Sequence, residues 1–245
     1  MTRFRMMAIV ILVSASAVVF GPREAGAAFN VNLLTNGNAE SGVLVANVGG
    51  FGMYSTPGWT NIAGNFEAET YSGGTPPNIN PASPGPVDRG NLLFYGGNAA
   101  LTVATQNLNV SDVASAIDAG IARVNLSGFF GGYADQDDNA RLSLTFLGSN
   151  GNFLGADTIG GVLAADRNNI SGLLFRSSSD LLMTGTRTIQ ATLTFTRFAG
   201  TFNNGAADNL DINLNTVPEP TSLLLSGIPA AIGLIWAARR RKSAR

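Results

Sequence analysis

The sequence contains no cysteine and no histidine among its 245 residues, and these two absences exclude several kinds of function. The chain cannot form a Ser-His-Asp or Cys-His catalytic site, a disulfide, or a conventional zinc, haem or iron–sulfur site. Charged residues are scarce at 13%, whereas hydrophobic residues make up 45%. This composition argues against disorder, and the length suits one sizeable domain or two small ones. Oxygen ligands and carboxylates are the chemistry left for a site.

The first 27 residues have the three-part layout of a secretory signal peptide. Arg3 and Arg5 precede an apolar run over residues 6–20, and small residues occupy 25–27. The basic start stays in the cytoplasm, the apolar run enters a Sec-type translocon, and small side chains fit signal peptidase. We therefore predict cleavage after Ala27. The alternative is an uncleaved N-terminal anchor, although the run is shorter than the roughly 20 residues that span a bilayer.

A second apolar segment, residues 221–238, lies between a Pro-Glu-Pro motif and a basic cluster. As a helix it would reach roughly 27 Å, nearly the hydrocarbon thickness of a bilayer. The positive-inside rule would hold the cluster in the cytoplasm and leave the preceding chain outside. The cluster consists of Arg239, Arg240, Arg241, Lys242 and Arg245. A plain stop-transfer anchor is the alternative, but it leaves the Pro-Glu-Pro unexplained.

The order Val217-Pro218-Glu219-Pro220, apolar span and terminal arginine cluster resembles the PEP-CTERM sorting signal of Gram-negative and related bacteria. The resemblance covers residues 217–245. It implies recognition by a membrane-embedded exosortase, cleavage near the motif and transfer to the cell surface. The two prolines fix their φ angles and disfavour helix just before them, so the motif would present an extended segment to a processing enzyme.

Residues 28–216, which remain when both ends are set aside, are acidic. They contain seven arginines, no lysine and fourteen acidic residues, which gives a net charge of −7. Such a surface repels nucleic acid and anionic lipid, and it suits divalent cations or neutral ligands such as glycans. We therefore predict no nucleic-acid partner, and contact with the membrane only through the C-terminal helix.

The patterning of residues 28–216 is that of β-strands. Polar and apolar residues alternate with period two over 141–146, 189–196 and 210–214. Further short strands are predicted at 92–95, 100–105 and 124–130. Because interleaved amphipathic helices are missing, the pattern favours an all-β fold, an antiparallel jelly-roll-like β-sandwich.

The connections between these strands have their own signals. Asn150-Gly151 predicts a tight hairpin, since this pair accepts positive φ angles. One short helix is predicted at 112–119 with Ser111 as its cap. The proline-rich stretch 75–86 is predicted to be a long loop between strands, most simply a mobile surface loop with no special role.

Both ends of the exported part resemble galactose-binding-like jelly rolls among secreted carbohydrate-binding modules. The resemblance rests on residues 32–42 with Pro57-Gly58-Trp59, and on residues 207–212. It implies that the first and last strands lie side by side and that Glu40, Asp208 and an oxygen from the Asn36–Asn38 turn hold a structural calcium. Calcium takes six to eight hard oxygen ligands. Ala39 departs from the family, which usually has an aromatic residue there; the alternative is polar turn residues with no metal.

The acidic run 135–139 does not fit an EF-hand. Ala140 stands at the sixth loop position, where glycine is required, and Phe146 stands at the twelfth, where a glutamate is required. We predict a solvated turn that enters a strand at Arg141, with calcium binding as a minor alternative.

Flat aromatic rings are the candidate glycan contacts, because they can cover the apolar faces of sugars. The candidates are Tyr54, Trp59, Phe66, Tyr71 and Tyr95, of which Tyr54, Trp59 and Tyr71 are the predicted contacts; the alternative for Trp59 is a place in the core. Catalysis is open only to carboxylates, as in a glycosidase. Glu67 and Glu69 are two residues apart and would share one face of a strand.

These patterns together predict an exported, non-enzymatic protein of the cell surface or extracellular matrix, sorted by an exosortase. The family's usual association with exopolysaccharide production places it near polysaccharide by resemblance. A carbohydrate-binding module is the first alternative, and a carboxylate glycoside hydrolase is the second.

Overall fold

The computed structural model describes residues 27–48, 51–71 and 79–217. The predicted signal peptide up to residue 26, the three residues Pro218, Glu219 and Pro220, the predicted span 221–238 and the basic cluster Arg239, Arg240, Arg241 and Lys242 lie outside these ranges. Within the described residues, no helix is both long and apolar enough to cross a bilayer.

The described part of the chain forms twelve strands and one short α-helix. The strands are β1 (Leu44–Val48), β2 (Phe51–Tyr54), β3 (Thr60–Ala63), β4 (Glu67–Thr70), β5 (Leu92–Tyr95), β6 (Leu101–Asn109), β7 (Ala122–Gly132), β8 (Asn139–Leu147), β9 (Phe153–Gly160), β10 (Gly172–Leu181), β11 (Thr188–Thr196) and β12 (Ala206–Thr216). The helix α1 covers Ala114–Asp118, and two 3-10 turns cover Ser111–Val113 and Ala165–Arg167.

The strands build two antiparallel sheets. One has seven strands in the order β1-β2-β4-β5-β12-β7-β10, and the other has five in the order β3-β6-β11-β8-β9. All the pairings between named strands are antiparallel. The predicted antiparallel β-sandwich is therefore confirmed.

The main core lies between the two sheets and follows the period-two pattern of the sequence. In β11, buried and half-buried residues alternate along the whole strand. Phe195 of this strand contacts Phe66, and Phe130 and Phe146 are almost completely buried in the same cluster. Each such side chain contributes about 1.5–3 kcal/mol by leaving water. The strands predicted at 92–95, 124–130, 141–146, 189–196 and 210–214 all lie within observed strands, and the one at 100–105 begins one residue later, at Leu101.

The predicted hairpin joins β8 to β9. Gly148 and Asn152 close the turn by a backbone hydrogen bond of 2.9 Å, and Gly151 adopts a φ of +74°. This left-handed conformation favours glycine, which is the reason that the Asn-Gly signal was informative.

The prediction of Ser111 as a helix cap is wrong. Residues 111–113 form a 3-10 turn, α1 begins only at Ala114, and neither element has a side-chain cap. The side chain of Asn109 instead accepts a hydrogen bond from the Ser111 amide at 2.9 Å. An Asx turn at the end of β6 therefore fixes this corner.

The prediction of a solvated turn at residues 135–139 is also wrong in part. Asp138 is completely buried, and Asn139 already belongs to β8. The Asp138 carboxylate accepts hydrogen bonds from the backbone amides of Phe198, Ala199 and Asn204 at 2.6, 3.0 and 2.9 Å. A buried carboxylate with three amide donors ties this turn to the loop between β11 and β12.

The described part of the proline-rich segment packs against the protein. Ile79 is 1% exposed and contacts the second apolar cluster with Leu93 and Leu173. The Arg89 guanidinium donates hydrogen bonds to the carbonyls of Asn80, Ser83 and Pro86 at 2.9–3.1 Å. Residues 79–91 thus form an ordered cover over part of the seven-stranded sheet, and not a loop without a role.

The N-terminal segment completes the seven-stranded sheet beside β12. Asn30 and Leu33 donate backbone hydrogen bonds to Leu214 and Ile212, and the Leu210 amide donates to Gly37. The side chain of Asn32 also bonds the Leu210 carbonyl and the Ile212 amide, at 2.9 and 3.1 Å. The first and last segments of the described domain therefore lie side by side, as the resemblance implied.

Candidate functional site

The face of the seven-stranded sheet that points away from the core, called here the outer face, is the candidate site. Strand alternation assigns residues to it. Phe94 and Ala207 point into the main core, so their neighbours Tyr95 and Ala206 point outward. Residues 79–91 cover the outer face at β4, β5 and the starts of β10 and β12, and the part over the rest of β7, β10 and β12 is open.

Four polar side chains cross the open part in a hydrogen-bonded row, called here the outer-face row. Asp211 and Asn213 lie on β12, Asn125 lies on β7 and Ser179 lies on β10. Asn213 donates to Asp211 at 2.5 Å, Asn125 donates to Asn213 at 2.8 Å and Ser179 donates to Asn125 at 2.6 Å. Each amide is held in one orientation by its neighbours, which prepares the row to bind hydroxyl groups.

Two aromatic rings lie on the same face as this row, four residues along β7 and β10 from Asn125 and Ser179. Phe129 of β7 and Phe175 of β10 are cross-strand partners whose ring centroids lie 5.4 Å apart in an edge-to-face arrangement. Phe129 is half-buried, whereas Phe175 is 53% exposed. An exposed ring on the same face as oriented amides can cover the apolar face of one sugar unit of a chain while the amides bond hydroxyls further along it.

A pocket of about 440 Å³ opens beside Asp211, where the N-terminal segment meets β12. Its polar lining consists of Asn32, Asn36, Asn38, Asp88, Asn209 and Asp211. Asn209 reaches it from a bulge in β12 with a φ of +46°, and its amide donates to Asp88 at 2.9 Å. The pocket therefore offers two carboxylates and four amide side chains within a volume typical of small-ligand sites.

Asn36 is the residue of this pocket whose hydrogen bonding is incomplete. Its carbonyl oxygen accepts the Ser41 amide at 3.0 Å. Its buried Nδ2 has no partner among the residues that the structure describes. An unpaired buried donor costs about 1–3 kcal/mol, so a ligand oxygen that accepted this hydrogen bond would recover part of that cost.

The structure does not place the three predicted glycan-contact rings on this surface. Trp59 is 9% exposed and packs edge-on against Phe66 and Phe94. Tyr71 is 3% exposed, and Tyr54 is half-buried against the main core. Trp59 and Tyr71 cannot stack on a sugar while they are buried, because their faces are covered by protein. Phe66 and Tyr95, also named from the sequence, are buried too.

The three predicted calcium ligands lie in one region next to the pocket. The Asp208 carboxyl is buried, and burial raises its pKa to about 7, with smaller contributions from the negative charges of Glu40 and Asp88. Asp208 accepts hydrogen bonds from the Tyr71 hydroxyl at 2.5 Å and from the backbone amide of Asn209 at 2.7 Å. The carboxyls of Asp208, Glu40 and Asp88 are therefore close enough to interact. A cation would relieve the repulsion between them.

Several oxygens of these residues are, however, already used as hydrogen-bond acceptors. Glu40 Oε1 accepts the backbone amides of Asn91 and Leu92 at 2.8 and 2.6 Å. Gly90 lies so close to this carboxyl that an added Cβ would be 2.5 Å from its carbon. Across the described ranges, no group of three or more acidic side chains has the arrangement of a metal site. In this arrangement the donor set does not fit a calcium ion, which needs six to eight oxygens, and the calcium site stays a prediction.

Glu67 and Glu69 share one face of β4, as their spacing predicted. They are the cross-strand partners of Tyr95 and Leu93, so both point to the outer face. Burial raises the pKa of both carboxyls, and the charge of Glu67 raises that of Glu69 further. A carboxyl with a raised pKa stays partly protonated at pH values at which an ordinary glutamate is ionised. A general acid needs this proton.

Val217 is the residue of the sorting motif that the structure describes. It is half-buried, and its amide donates a hydrogen bond to the Ile121 carbonyl at 2.8 Å. The pairing of β12 with β7 thus continues to the last residue before Pro218.

Sequence reasoning missed the outer-face row and the Phe129–Phe175 pair. Asn125, Phe129 and Asn213 occupy the positions that alternate with core residues in β7 and β12, so the period-two pattern contained this signal. β10 was missed altogether, because the run Ser177-Ser178-Ser179-Asp180 conceals its alternation.

Residues 216–242 match the model of the PEP-CTERM protein-sorting motif. The sorting signal predicted from the Pro-Glu-Pro, the apolar segment and the arginines is therefore confirmed. Its presence marks the chain as a secreted protein processed by an exosortase. No curated protein matches the chain.

Among solved structures, the chain is similar to a family 16 carbohydrate-binding module, with a TM-score of 0.45 and 12% identity over 74% of this chain and 99% of that one. It is also similar to a carbohydrate-binding module specific for non-crystalline cellulose, with a TM-score of 0.34 and 13% identity over 80% and 98% of the two chains. A third similarity is to the enzymatically active domain of bacteriophage CBA120 tailspike protein 4, with a TM-score of 0.43 and 15% identity over 76% of this chain. The match spans only 22% of the tailspike chain.

Proposed function

We propose that this protein is a non-enzymatic component of the bacterial cell surface or extracellular matrix that binds polysaccharide through its outer face. Signal peptidase and a Sec-type translocon would act on residues 1–27 during export. The C-terminal segment would then hold the domain at the membrane until an exosortase cuts near the sorting motif. After this cleavage the β-sandwich domain would be the part of the protein that contacts the matrix.

The observation that carries this proposal is the pocket beside Asp211, continuous with the outer-face row. Sugar hydroxyls both donate and accept hydrogen bonds, and an amide side chain offers both an acceptor oxygen and a donor NH2 group. Asn36 and Asn38 supply amides on one side of the pocket. Asp211 belongs both to the pocket lining and to the outer-face row. Phe175 supplies the exposed ring beyond it.

The charge of the site selects the class of polysaccharide. Asp88 and Asp211 line the pocket, and the residues between the two predicted membrane-directed ends carry a net charge of −7. A chain of uronic acids would be repelled, because like charges at close range disfavour binding. The ligand expected here is a neutral polysaccharide.

A glycan-array screen with the full chain in detergent tests the proposal. We expect binding concentrated on neutral glycans and weakened by Asn38→Ala, which removes an exposed amide of the pocket. Phe153→Ala is the matched control, because Phe153 is exposed at the start of β9 in the other sheet. The proposed site would be contradicted if Asn38→Ala bound glycans as well as Phe153→Ala does and if neutral and anionic glycans were bound equally.

A glycoside hydrolase is the second candidate, and the raised pKa values of Glu67 and Glu69 are the observation that favours it. Hydrolysis would need one carboxyl as a general acid and the other as a base or nucleophile. Release of reducing sugar from a bound polysaccharide, abolished by Glu69→Gln, would support this candidate. Binding without such release would support the non-enzymatic function.

Processing at the sorting motif is tested by mass spectrometry of the mature protein. We expect a C-terminus near Pro218 to Pro220, because the resemblance to the sorting signal implies cleavage near this motif. Recovery of the surface protein with an intact Arg245 would contradict it.

A further inference from the structure

The last strand of the sandwich continues into the sorting motif without a spacer. Thr216 is the partner of Ala122 in the ladder between β12 and β7, and Val217 adds one more hydrogen bond, to Ile121. Pro218 follows immediately. The folded domain and the segment that directs it to the membrane are therefore directly joined.

The N-terminal segment starts from the same end of the sandwich. Phe29 and Asn30 lie beside Leu214, near the end of β12, and the chain then runs along β12 towards Leu210. Both predicted membrane-directed segments, residues 1–27 and 221–238, thus connect to one end. This end, called here the exit end, consists of α1, the connections 148–152 and 182–187, and Val217.

The distance between the exit end and the predicted membrane segment is limited by covalent geometry. Residues 218–220 separate Val217 from Thr221. In any conformation, four steps between consecutive Cα atoms cover at most about 14 Å. The headgroup region accounts for roughly 5–8 Å on each side of the hydrocarbon core. An inserted C-terminal segment would therefore hold Val217 either among the headgroups or at most roughly 6–9 Å beyond them.

Three large apolar side chains are exposed at the exit end. Phe153 begins β9, Leu181 ends β10, and Met183 follows it; they are 67%, 49% and 48% exposed. Met183 lies against β9, since a Cβ built on Gly155 would be 3.1 Å from its Cγ. The two edge strands of the different sheets thus bring these side chains to one corner.

One ion pair lies at this end, and the exposed carboxylates of Asp112 and Asp180 lie near it. Asp118 of α1 and Arg187 form an ion pair of 2.6 Å, and Asp118 also accepts the Gly185 amide at 3.2 Å. The hydrogen bond to Arg187 lowers the pKa of the Asp118 carboxyl, so this carboxylate keeps its partner across the physiological range. A matched pair repels anionic lipid less than a free carboxylate would.

We propose that the exit end lies against the membrane surface while the C-terminal segment is inserted, with Phe153, Leu181 and Met183 in the interfacial layer of the bilayer. The proposal rests on the membrane-held stage of the proposed function. Apolar side chains gain free energy by leaving water for this layer. The strands would then stand away from the membrane, and the outer face would remain open to polysaccharide.

The absence of cysteine makes single-cysteine labelling a direct test. Phe153→Cys and Phe198→Cys would each carry an environment-sensitive fluorophore in the full chain, reconstituted into phosphatidylethanolamine–phosphatidylglycerol vesicles. Phe198 is the matched control, because it is 65% exposed and follows β11 at the opposite end of the sandwich. We expect lipid-attached quenchers to act on the label at 153 and soluble iodide to act on the label at 198.

An insertion variant tests whether the short connection is the cause. Twelve glycine and serine residues inserted after Thr216 form a coil with a root-mean-square length of about 19 Å. In this variant the label at 153 should become accessible to iodide while the protein still floats with the vesicles. Equal iodide quenching of both labels in the vesicle-bound protein without the insertion would overturn the proposal.

Two further outcomes would also overturn it. If the label at 153 is shielded in detergent as the protein concentration rises, the surface belongs to a second copy of the chain. If the chain does not float with vesicles, the membrane-held stage fails. Glycan binding by the same detergent-solubilised protein is measured independently, so its failure is distinguishable from either result.

Discussion

The Tyr71 hydroxyl donates a hydrogen bond of 2.5 Å to the buried carboxyl of Asp208. This contact joins the end of β4 to β12, and the Arg89 guanidinium lies over the Tyr71 ring at 5.1 Å from its centroid. Since Arg89 also binds the carbonyls of residues 80, 83 and 86, the contact links the cover segment 79–91 to the strand that supplies Asp211. The ring predicted to stack on sugars thus has a structural role beside the pocket.

Tyr71→Phe should lower the free energy of unfolding by about 1–3 kcal/mol, because it leaves a buried carboxyl oxygen without its donor. Chemical denaturation of the two proteins measures the difference. Tyr133→Phe, at a half-buried tyrosine between β7 and β8, is the control and should change stability by less than about 0.5 kcal/mol. Equal effects of the two substitutions would show that the hydrogen bond to Asp208 contributes nothing.

Stability should fall as the pH rises from about 4 to about 7 in the presence of a chelator. The Asp208 pKa is about 7 in the folded protein and near its ordinary value of 3.8 in the unfolded chain. The folded state therefore binds more protons across this window, and the stability present below pH 4 is lost as Asp208 ionises. Asp208→Asn should flatten the profile. The raised pKa values of Glu67 and Glu69 act in the same direction and leave a residual slope.

A calcium site at Glu40 and Asp208 would raise the melting temperature when calcium is added, because the ion would bind only the folded state. Chelator should reverse the rise, and Glu40→Gln should abolish it. A melting temperature that calcium and chelator leave unchanged in both the wild-type chain and Glu40→Gln would remove calcium from the account. The role of Glu40 would then be structural, as the acceptor of hydrogen bonds from the backbone amides of Asn91 and Leu92.

Arg167→Lys should destabilise the fold by about 2–4 kcal/mol, because it leaves buried carbonyls without their donors. Arg167 is 2% exposed, and its guanidinium donates to the carbonyls of Gly132, Ala134, Gln136 and Ile170. An ammonium group cannot reproduce this planar arrangement of donors. Arg176→Lys is the matched control, since Arg176 forms a partly exposed ion pair of 3.6 Å with Asp166. A loss of similar size in the control would contradict the role assigned to Arg167.

The fold could be predicted from the sequence wherever one face of a strand is buried. The strands β8, β11 and β12 show regular alternation because their two faces meet core and solvent. The short strands β1 to β4 lack enough residues to show a period, and Asp138 was placed in solvent because its three amide donors come from a loop about sixty residues away.

The site was less predictable for a related reason. Exposure of a ring depends on which strands cover it, so Trp59 and Tyr71 could not be told from Phe175 by residue type. The bulge that turns Asn209 into the pocket, between Asp208 and Asp211, has no signal in the polar alternation. By contrast, the sorting motif was recognisable because it is a contiguous order of residues that needs no tertiary contact.

Sedimentation with an insoluble neutral polysaccharide tests the central claim most directly. The wild-type chain and Phe153→Ala should bind with the same saturable isotherm, because Phe153 lies away from the outer face. Phe175→Ala should lose roughly ten-fold or more in affinity through the loss of the exposed ring, at about 1–2 kcal/mol, with its melting temperature retained. Equal binding by all three proteins, or no binding by any of them, would contradict the account.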